Sequence, residues 1–149
     1  MEKVKIWRSA IMAYIGGMLY MLIELLWRGW THPSMFIVGG ICFLILGSIN
    51  EGILNWDMPL LWQGLLGALC VTGVELVAGL ILNVWLRWGV WDYSKLPLNF
   101  MGQICPYYFL LWIPLSLVAV TVDDWLRHWL FGERKPEYHL LPSRRGARA

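Results

Sequence analysis

The sequence predicts an all-α membrane protein, a compact antiparallel bundle of four transmembrane helices with an outer polar loop between helices three and four. Of its 149 residues, 58% are hydrophobic and only 15% are charged, so a soluble domain of this size would have to bury almost every side chain. Four stretches remain apolar for roughly 20 residues, the length that a helix needs to cross a bilayer core of about 30 Å. The 11 Trp residues also suit membrane interfaces.

The first predicted helix spans about residues 9–27 and follows a basic N-terminal segment. Such a start resembles a signal peptide, but the apolar run is too long and has no A-x-A-like cleavage site, so we expect a retained helix. Small and charged residues recur at spacings of three and four and therefore share one face: Ala13, Gly17, Tyr20, Glu24 and Arg28. The last two form an i, i+4 pair, which either fixes the helix end as an interfacial ion pair or belongs to a functional site.

The second predicted helix, at about residues 33–54, contains three glycines and ends in Asn50-Glu51. With the turn that follows, its end forms an acidic inner mouth that contains no Lys or Arg: Asn50, Glu51, Asn55, Asp57 and Gln63. We interpret this mouth as a solvated turn rather than a binding site.

The third predicted helix, at about residues 59–86, has one face of small and apolar residues around a single carboxylate: Gly64, Ala68, Val71, Glu75, Ala78, Gly79 and Leu82. Because small residues let helices approach closely, we expect Glu75 to point into the bundle. It lies too far from either helix end to reach water, so it is either neutral or paired with a cation such as Arg28 or Arg87. An ionisable group at this depth suggests a functional role, and a buried structural hydrogen bond is the alternative.

The fourth predicted helix spans about residues 102–122 and continues along the interface to residue 131, with Trp125 and Trp129 as anchors. Residues 1–132 would then form a single transmembrane bundle. Residues 133–149 are polar and basic, which predicts a disordered cytoplasmic tail that touches anionic lipid headgroups rather than nucleic acid.

The orientation follows from the basic residues. Short connections between the first three helices predict antiparallel neighbours. Nine of the 12 Lys and Arg residues then lie on the side of the two termini, and only Arg28, Arg87 and Lys95 lie on the other side. The positive-inside rule therefore predicts that both termini are cytoplasmic in a bacterial plasma membrane and that the loop of residues 91–99 faces outward.

This loop, Trp-Asp-Tyr-Ser-Lys-Leu-Pro-Leu-Asn, is polar and aromatic between two apolar helices. Gly89, Pro97 and Gly102 interrupt helix periodicity, so the segment can fold back over the bundle. We predict a substrate-binding site here, formed by Glu24, Arg28, Glu75, Trp91, Asp92, Tyr93, Asn99 and Gln103. No metal is expected, because the three cysteines form no CxxC or Cys/His pattern. No catalytic residue or cofactor is predicted either, because the sequence has no Ser/His/Asp arrangement and no HExxH motif.

The chain resembles the small bacterial membrane family described as "Putative ABC-transporter type IV", or CmpB-like. The resemblance covers nearly all of the chain up to about Val122 and rests on Glu24, Gly39-Gly40, Asn50-Glu51, Glu75, Trp91-Asp92-Tyr93-Ser94, Pro97, Asn99 and Gly102-Gln103-Ile104-Cys105. It implies a polytopic, permease-like subunit. Because the sequence has no GxxxxGK[ST] loop, nucleotide energy would come from a separate ATPase or other membrane subunit, and a homo-oligomer is a further expectation for so small a bundle.

Three functions fit these observations. The first is a transporter or permease-like component that moves a small polar or ionic solute, with Glu75 binding the solute or a coupling proton. The second is a membrane enzyme acting on a lipid or isoprenoid headgroup, with Asp92 or Glu24 as the base, although no recognised catalytic constellation supports it. The third is a structural or assembly subunit whose polar residues only close hydrogen bonds.

Overall fold

The fold was analysed in a computed structural model, which describes residues 2–53 and 58–141. Within these two ranges the protein is all-helical, and the β-type pairing is confined to an isolated bridge between Phe100 and Ile104. Four helices are long and apolar enough to cross a membrane. The predicted fold class, an all-α protein with four membrane-spanning helices, is therefore confirmed.

Helix α1 spans Glu2–Arg28 and α2 spans Ser34–Ser48, followed by a π-helical turn at Ile49–Ile53. Helix α3 spans Leu60–Gly79 and continues as a π-helical segment at Leu80–Trp85, and α4 spans Pro106–Phe131. Helix α1 thus begins well before the predicted start of its span. Helix α4 begins four residues later than predicted, because Gly102 has a left-handed φ of 70° and the chain turns there.

The helices run alternately up and down. One end of the bundle, the loop end, holds the segment 86–105, and the other, the terminal end, holds the start of α1 and the end of α4. Helix α2 is the central element: it contacts α1, α3 and α4 and is the most buried helix, whereas α1 is the least buried. Helix α3 also packs along α4.

Close packing between α1 and α2 depends on glycines. Gly16 and Gly17 of α1 lie against Phe43 and Phe36, and a Cβ at Gly40 of α2 would lie 2.7 Å from the carbonyl oxygen of Ala13. Small residues that let two backbones approach are typical of membrane helix pairs. Helix α1 is therefore held against α2, which leaves a space between α1 and α4.

The terminal end differs from its prediction. Glu51 forms an ion pair with Arg127 of α4 at 3.2 Å, and Asn50 donates a 2.7 Å hydrogen bond to Asp124. The acidic mouth therefore does receive an arginine, which sequence order could not reveal because it comes from another helix. Gln63 donates to the carbonyl of Met58, while Asn55 and Asp57 lie outside the described residues.

The segment predicted as a disordered tail instead contacts the bundle over residues 133–141. The backbone N–H of Leu60 donates to the carbonyl of His139 at 2.7 Å, and the Tyr138 hydroxyl donates to Asp124 at 2.8 Å. Burial raises the pKa of Tyr138 well above its usual value, so its hydroxyl remains a donor. Residues 142–149 lie outside the described part.

Candidate functional site

A cavity of about 340 Å³ lies between α1 and α4 at the loop end. Five of the eight predicted site residues line it: Glu24, Arg28, Glu75, Trp91 and Tyr93. They come from α1, α3 and the loop, so residues far apart in the sequence meet around one space. The remaining lining is almost entirely apolar and aromatic.

Glu75 lies on the small-residue face of α3 and is only 4% exposed. Its Oε1 accepts a 3.0 Å hydrogen bond from the Tyr93 hydroxyl, and its Oε2 accepts a 2.9 Å bond from the indole N–H of Trp112. None of the ion pairs among the described residues includes Glu75, so of the two alternatives for this residue the pairing with Arg28 or Arg87 is excluded. The groups that bond to its carboxyl oxygens are two neutral donors.

Glu24 and Arg28 form the expected i, i+4 ion pair, at 2.8 Å between Oε1 and Nη2. The Thr31 hydroxyl donates to the other oxygen of Glu24 at 2.6 Å, and Arg28 Nη1 donates to the carbonyl of Val90 at 2.8 Å. The guanidinium also lies 4.2 Å from the centre of the Trp30 ring. The pair therefore ties the end of α1 to the start of the loop while it lines the cavity.

Tyr93 is positioned from two sides. Its backbone N–H donates to the carbonyl of Gly102 at 2.8 Å, and its ring stacks on Tyr108 of α4 with centroids 4.4 Å apart. Burial and the nearby carboxylate of Glu75 raise the pKa of Tyr93 far above its usual value. The hydroxyl therefore stays protonated and acts as a hydrogen-bond donor to Glu75.

Asp92 and Asn99 do not line the cavity. Asp92 is exposed, and its Oδ1 accepts a 2.9 Å hydrogen bond from the backbone N–H of Ser94. This bond, together with one from the Ser94 hydroxyl, lowers the pKa of Asp92. The Asn99 amide donates to the carbonyls of Ser94 and Leu96 and accepts from the N–H of Gly102. Both residues therefore shape the loop.

The loop has an unusual backbone that these bonds support. Within the loop, Leu98 and Met101 have φ values of 56° and 51°. This left-handed conformation costs free energy for residues that have a Cβ. The side chain of Asn99 bonds to the backbone on both sides of Leu98 and reaches Gly102. The conformation is thus held by several hydrogen bonds.

Gln103 anchors the loop to α3 and is also outside the cavity lining. Its side-chain oxygen accepts a 2.9 Å bond from Asn83, and its backbone carbonyl accepts a 3.0 Å bond from the Trp91 indole. It packs directly on Gly79, where a side chain would collide with it. Asn83 in turn accepts the N–H of Val90 at 2.6 Å, so one amide pair secures both ends of the loop.

Four of the six aromatic residues that line the cavity were missing from the predicted site: Tyr20, Trp27, Tyr108 and Trp112. Tyr20 stacks on Trp112 with centroids 6.0 Å apart, and Trp27 and Tyr108 complete the walls. Tyr108 and Trp112 lie four residues apart on α4, a spacing that puts both on one face. This spacing could have indicated that the two residues share a face of α4. It could not indicate that this face lines the cavity, because α4 carries aromatic residues on all sides.

A second cavity of about 190 Å³ adjoins the first one. Both are lined by Tyr20, Ile23, Trp112, Leu115 and Val118, so they form one groove between α1 and α4. The second part is almost wholly apolar. The groove therefore has its charged groups at the loop end and an apolar extension toward the middle of the helices.

A third cavity, of about 270 Å³, lies at the terminal end and is lined by charged residues only: Glu51, Asp124, Arg127, Glu133 and Arg134. Arg127 pairs with Asp123 at 2.6 Å as well as with Glu51. Among residues 2–53 and 58–141, no group of three or more His, Cys, Asp or Glu side chains could hold a metal ion. We interpret this cavity as part of the ion-pair network that joins α2, α4 and the segment 133–141.

A family model described as "Putative ABC-transporter type IV" matches residues 10–137. The match includes every residue that lines the groove. No curated protein and no solved structure matches the chain.

Proposed function

The chain belongs to the family described as "Putative ABC-transporter type IV", and we propose that it is a permease-like component whose substrate site is the groove between α1 and α4. One observation carries this proposal: a nearly buried carboxylate, Glu75, lines an open cavity inside a transmembrane bundle. A charged group at membrane depth is costly and is usually kept for a function.

The size and the lining of the cavity support a binding role. A volume of about 340 Å³ falls within the range of small-molecule sites, which combine apolar walls with a few polar groups that orient the ligand. Here the charged groups are Glu75 from α3 and the Glu24–Arg28 pair from α1. If Glu75 had only a structural role, its carboxylate would not need to line a cavity.

The loop end faces outward in this proposal, and both termini are in the cytoplasm of a bacterial cell. The support is the distribution of Lys and Arg, because in the described part of the chain six of these residues lie toward the terminal end and three lie toward the loop end. In this proposal a separate ATPase or another membrane subunit supplies the energy for transport. Association of several copies of the chain into a homo-oligomer is the other expected assembly. The groove and the terminal end lie at opposite ends of the bundle, so a cytoplasmic partner would not cover the site.

The assembly-subunit hypothesis has one observation in its favour. The side chains of Asp92 and Asn99 form their hydrogen bonds within the loop, and that of Gln103 bonds to Met101 of the loop and to Asn83 at the end of α3. We therefore assign these three residues a structural role and restrict the proposed substrate site to the five that line the cavity. The enzyme hypothesis loses one of its two candidate bases, because Asp92 lies outside the cavity, and the other, Glu24, is paired with Arg28.

The experiment compares cells that lack this protein with cells complemented by wild type, Glu75→Gln or Glu137→Gln. Glu137 is an exposed glutamate of the segment 133–141 and serves as the matched control. Mass spectrometry of the medium and of the cells measures which solutes are taken up or released, with equal protein amounts verified in the membranes. We expect at least one solute to change in the deletion strain and to be restored by wild type and Glu137→Gln but not by Glu75→Gln. Identical solute profiles in all strains would contradict a transport role.

A further inference from the structure

We propose that the groove takes lipophilic organic cations, molecules that join a positively charged ammonium or phosphonium centre to an apolar body. This inference rests on the proposed function, because it names the substrate class of the same site. Three properties of the groove carry it: a carboxylate without a cationic partner, an aromatic lining around that carboxylate, and an apolar extension beside it.

The charge balance of the cavity favours a cation. Its lining includes two carboxylates, Glu24 and Glu75, and one guanidinium, Arg28. Arg28 is paired with Glu24 at 2.8 Å, whereas the partners of Glu75 are the neutral groups of Tyr93 and Trp112. One carboxylate is therefore left without a counter-charge in a poorly hydrated space, where a bound cation would be attracted strongly and an anion repelled.

The hydrogen bonds of Glu75 fit its carboxylate form. The Trp112 indole is a donor only, so it cannot accept a proton from the oxygen that it contacts. The other oxygen accepts from the Tyr93 hydroxyl. Each carboxylate oxygen can accept a further contact, which leaves capacity for a ligand without breaking either bond.

The aromatic lining selects the kind of cation. Six aromatic side chains line the cavity: Tyr20, Trp27, Trp91, Tyr93, Tyr108 and Trp112. Aromatic faces attract cations, and cages of them are a known means of binding quaternary ammonium groups. Such rings cannot replace the oxygen shell of a small metal ion such as Mg²⁺ or Ca²⁺, so the site favours a weakly hydrated organic cation.

The apolar extension accounts for the rest of the ligand. The adjoining cavity of about 190 Å³ continues along the same two helices, past Leu115 and Val118. A ligand whose charge lies near Glu75 can place its hydrophobic body there, and burial of that body adds to its affinity. A small hydrophilic cation would gain nothing from this part of the groove.

The test uses the full-length protein in lipid nanodiscs and two probes of matched shape, tetraphenylphosphonium and tetraphenylborate, which carry opposite charges. Equilibrium dialysis against protein-free nanodiscs separates binding to the protein from partitioning into lipid. We expect saturable binding of tetraphenylphosphonium with a stoichiometry of about one per chain and no saturable binding of tetraphenylborate. The Glu75→Gln variant should bind the cation at least about tenfold more weakly, and Glu137→Gln should bind it as wild type does.

A second pair of variants keeps the test decisive if Glu75→Gln does not fold. Tyr20→Phe preserves an aromatic face toward the cavity and should retain binding, whereas Tyr20→Leu removes it and should weaken binding severalfold. Equal binding of the two probes to wild type would overturn the inference. Unchanged cation binding in Glu75→Gln would also overturn it, and if that variant does not fold, unchanged cation binding in Tyr20→Leu would do so.

The outcomes separate this inference from the proposed function. If the cell experiment finds a Glu75-dependent solute that is neutral or anionic, the transport role stands and the cation inference fails. If the nanodisc experiment finds charge-selective binding while all strains have identical solute profiles, the ligand class stands and the transport role fails.

Discussion

Trp112 of α4 donates its indole N–H to the carboxylate of Glu75 on α3 over 2.9 Å, and the same ring stacks on Tyr20 of α1. This one side chain of the groove lining thus joins three helices. Because a buried carboxylate is costly without donors, this bond should matter both for stability and for the position of the carboxylate.

We expect Trp112→Phe to lower the free energy of unfolding by about 1–3 kcal/mol, because a buried, charged acceptor loses a donor while an aromatic ring remains. Reversible unfolding by dodecyl sulfate in mixed micelles measures it. The control is Trp62→Phe, since Trp62 is 55% exposed at the start of α3 and should leave stability within about 0.5 kcal/mol of wild type. Equal losses in the two variants would show that the Glu75 contact contributes no stability.

Gly40→Ala should destabilise the protein by about 1–3 kcal/mol, because the added Cβ would lie 2.7 Å from the Ala13 carbonyl oxygen and push α1 away from α2. Gly73→Ala is the matched control, with no atom within 4 Å of the added Cβ. Gly73→Ala should raise the free energy of unfolding by about 0.5–1 kcal/mol, because alanine loses less backbone conformational entropy than glycine when the helix forms. The same sign for both substitutions in the unfolding titration would argue against close α1–α2 packing.

We expect Gln103→Ala to loosen the loop, because the side-chain amide of Asn83 would lose its acceptor and the space next to Gly79 that the Gln103 side chain fills would be left empty. Hydrogen–deuterium exchange should become about tenfold faster or more in peptides that cover residues 88–101. Lys95→Ala, an exposed change in the same loop, is the control. Unchanged exchange in Gln103→Ala would mean that the loop is held by other contacts.

The carboxyl of Asp92 should titrate below its ordinary pKa of 3.8, because the backbone N–H and the hydroxyl of Ser94 donate to its charged form. A lowered folded pKa means that the stabilisation of the turn is fully present above the unfolded pKa and is lost as the pH falls through the folded pKa. Carbon-13 NMR of labelled aspartate in nanodiscs gives the midpoint. Ser94→Ala removes the hydroxyl bond and should move the midpoint upward. A midpoint at or above 3.8 in wild type would contradict the two hydrogen bonds from Ser94 to the Asp92 carboxylate.

The sequence allowed part of the site to be predicted because helix geometry is periodic. Glu24 and Arg28 are four residues apart, and that spacing alone predicted their ion pair, which is present at 2.8 Å. The small residues around Glu75 likewise indicated that it points into the bundle, and it is 4% exposed there. These statements concern single helices, for which no knowledge of the packing is needed.

Contacts between helices could not be predicted in the same way. The partners of Glu75 come from the loop and from α4, and which α4 residue reaches it depends on the register in which α3 and α4 pack. The pairing of Glu51 with Arg127 was missed for the same reason. The π-helical segment Leu80–Trp85, at which Asn83 reaches Gln103, shifts the spacing of side chains away from the α-helical period.

The most direct test of the account is an anomalous-scattering map of lipid-grown crystals soaked with tetraphenylarsonium, a cation whose arsenic atom marks its own position. The account predicts one strong arsenic peak in the groove between α1 and α4, within the ring of aromatic side chains and next to Glu75, and its loss in crystals of Glu75→Gln. A groove without an arsenic peak in wild-type crystals, or a peak that persists unchanged in Glu75→Gln, would contradict the claim that this carboxylate forms a cation-binding substrate site.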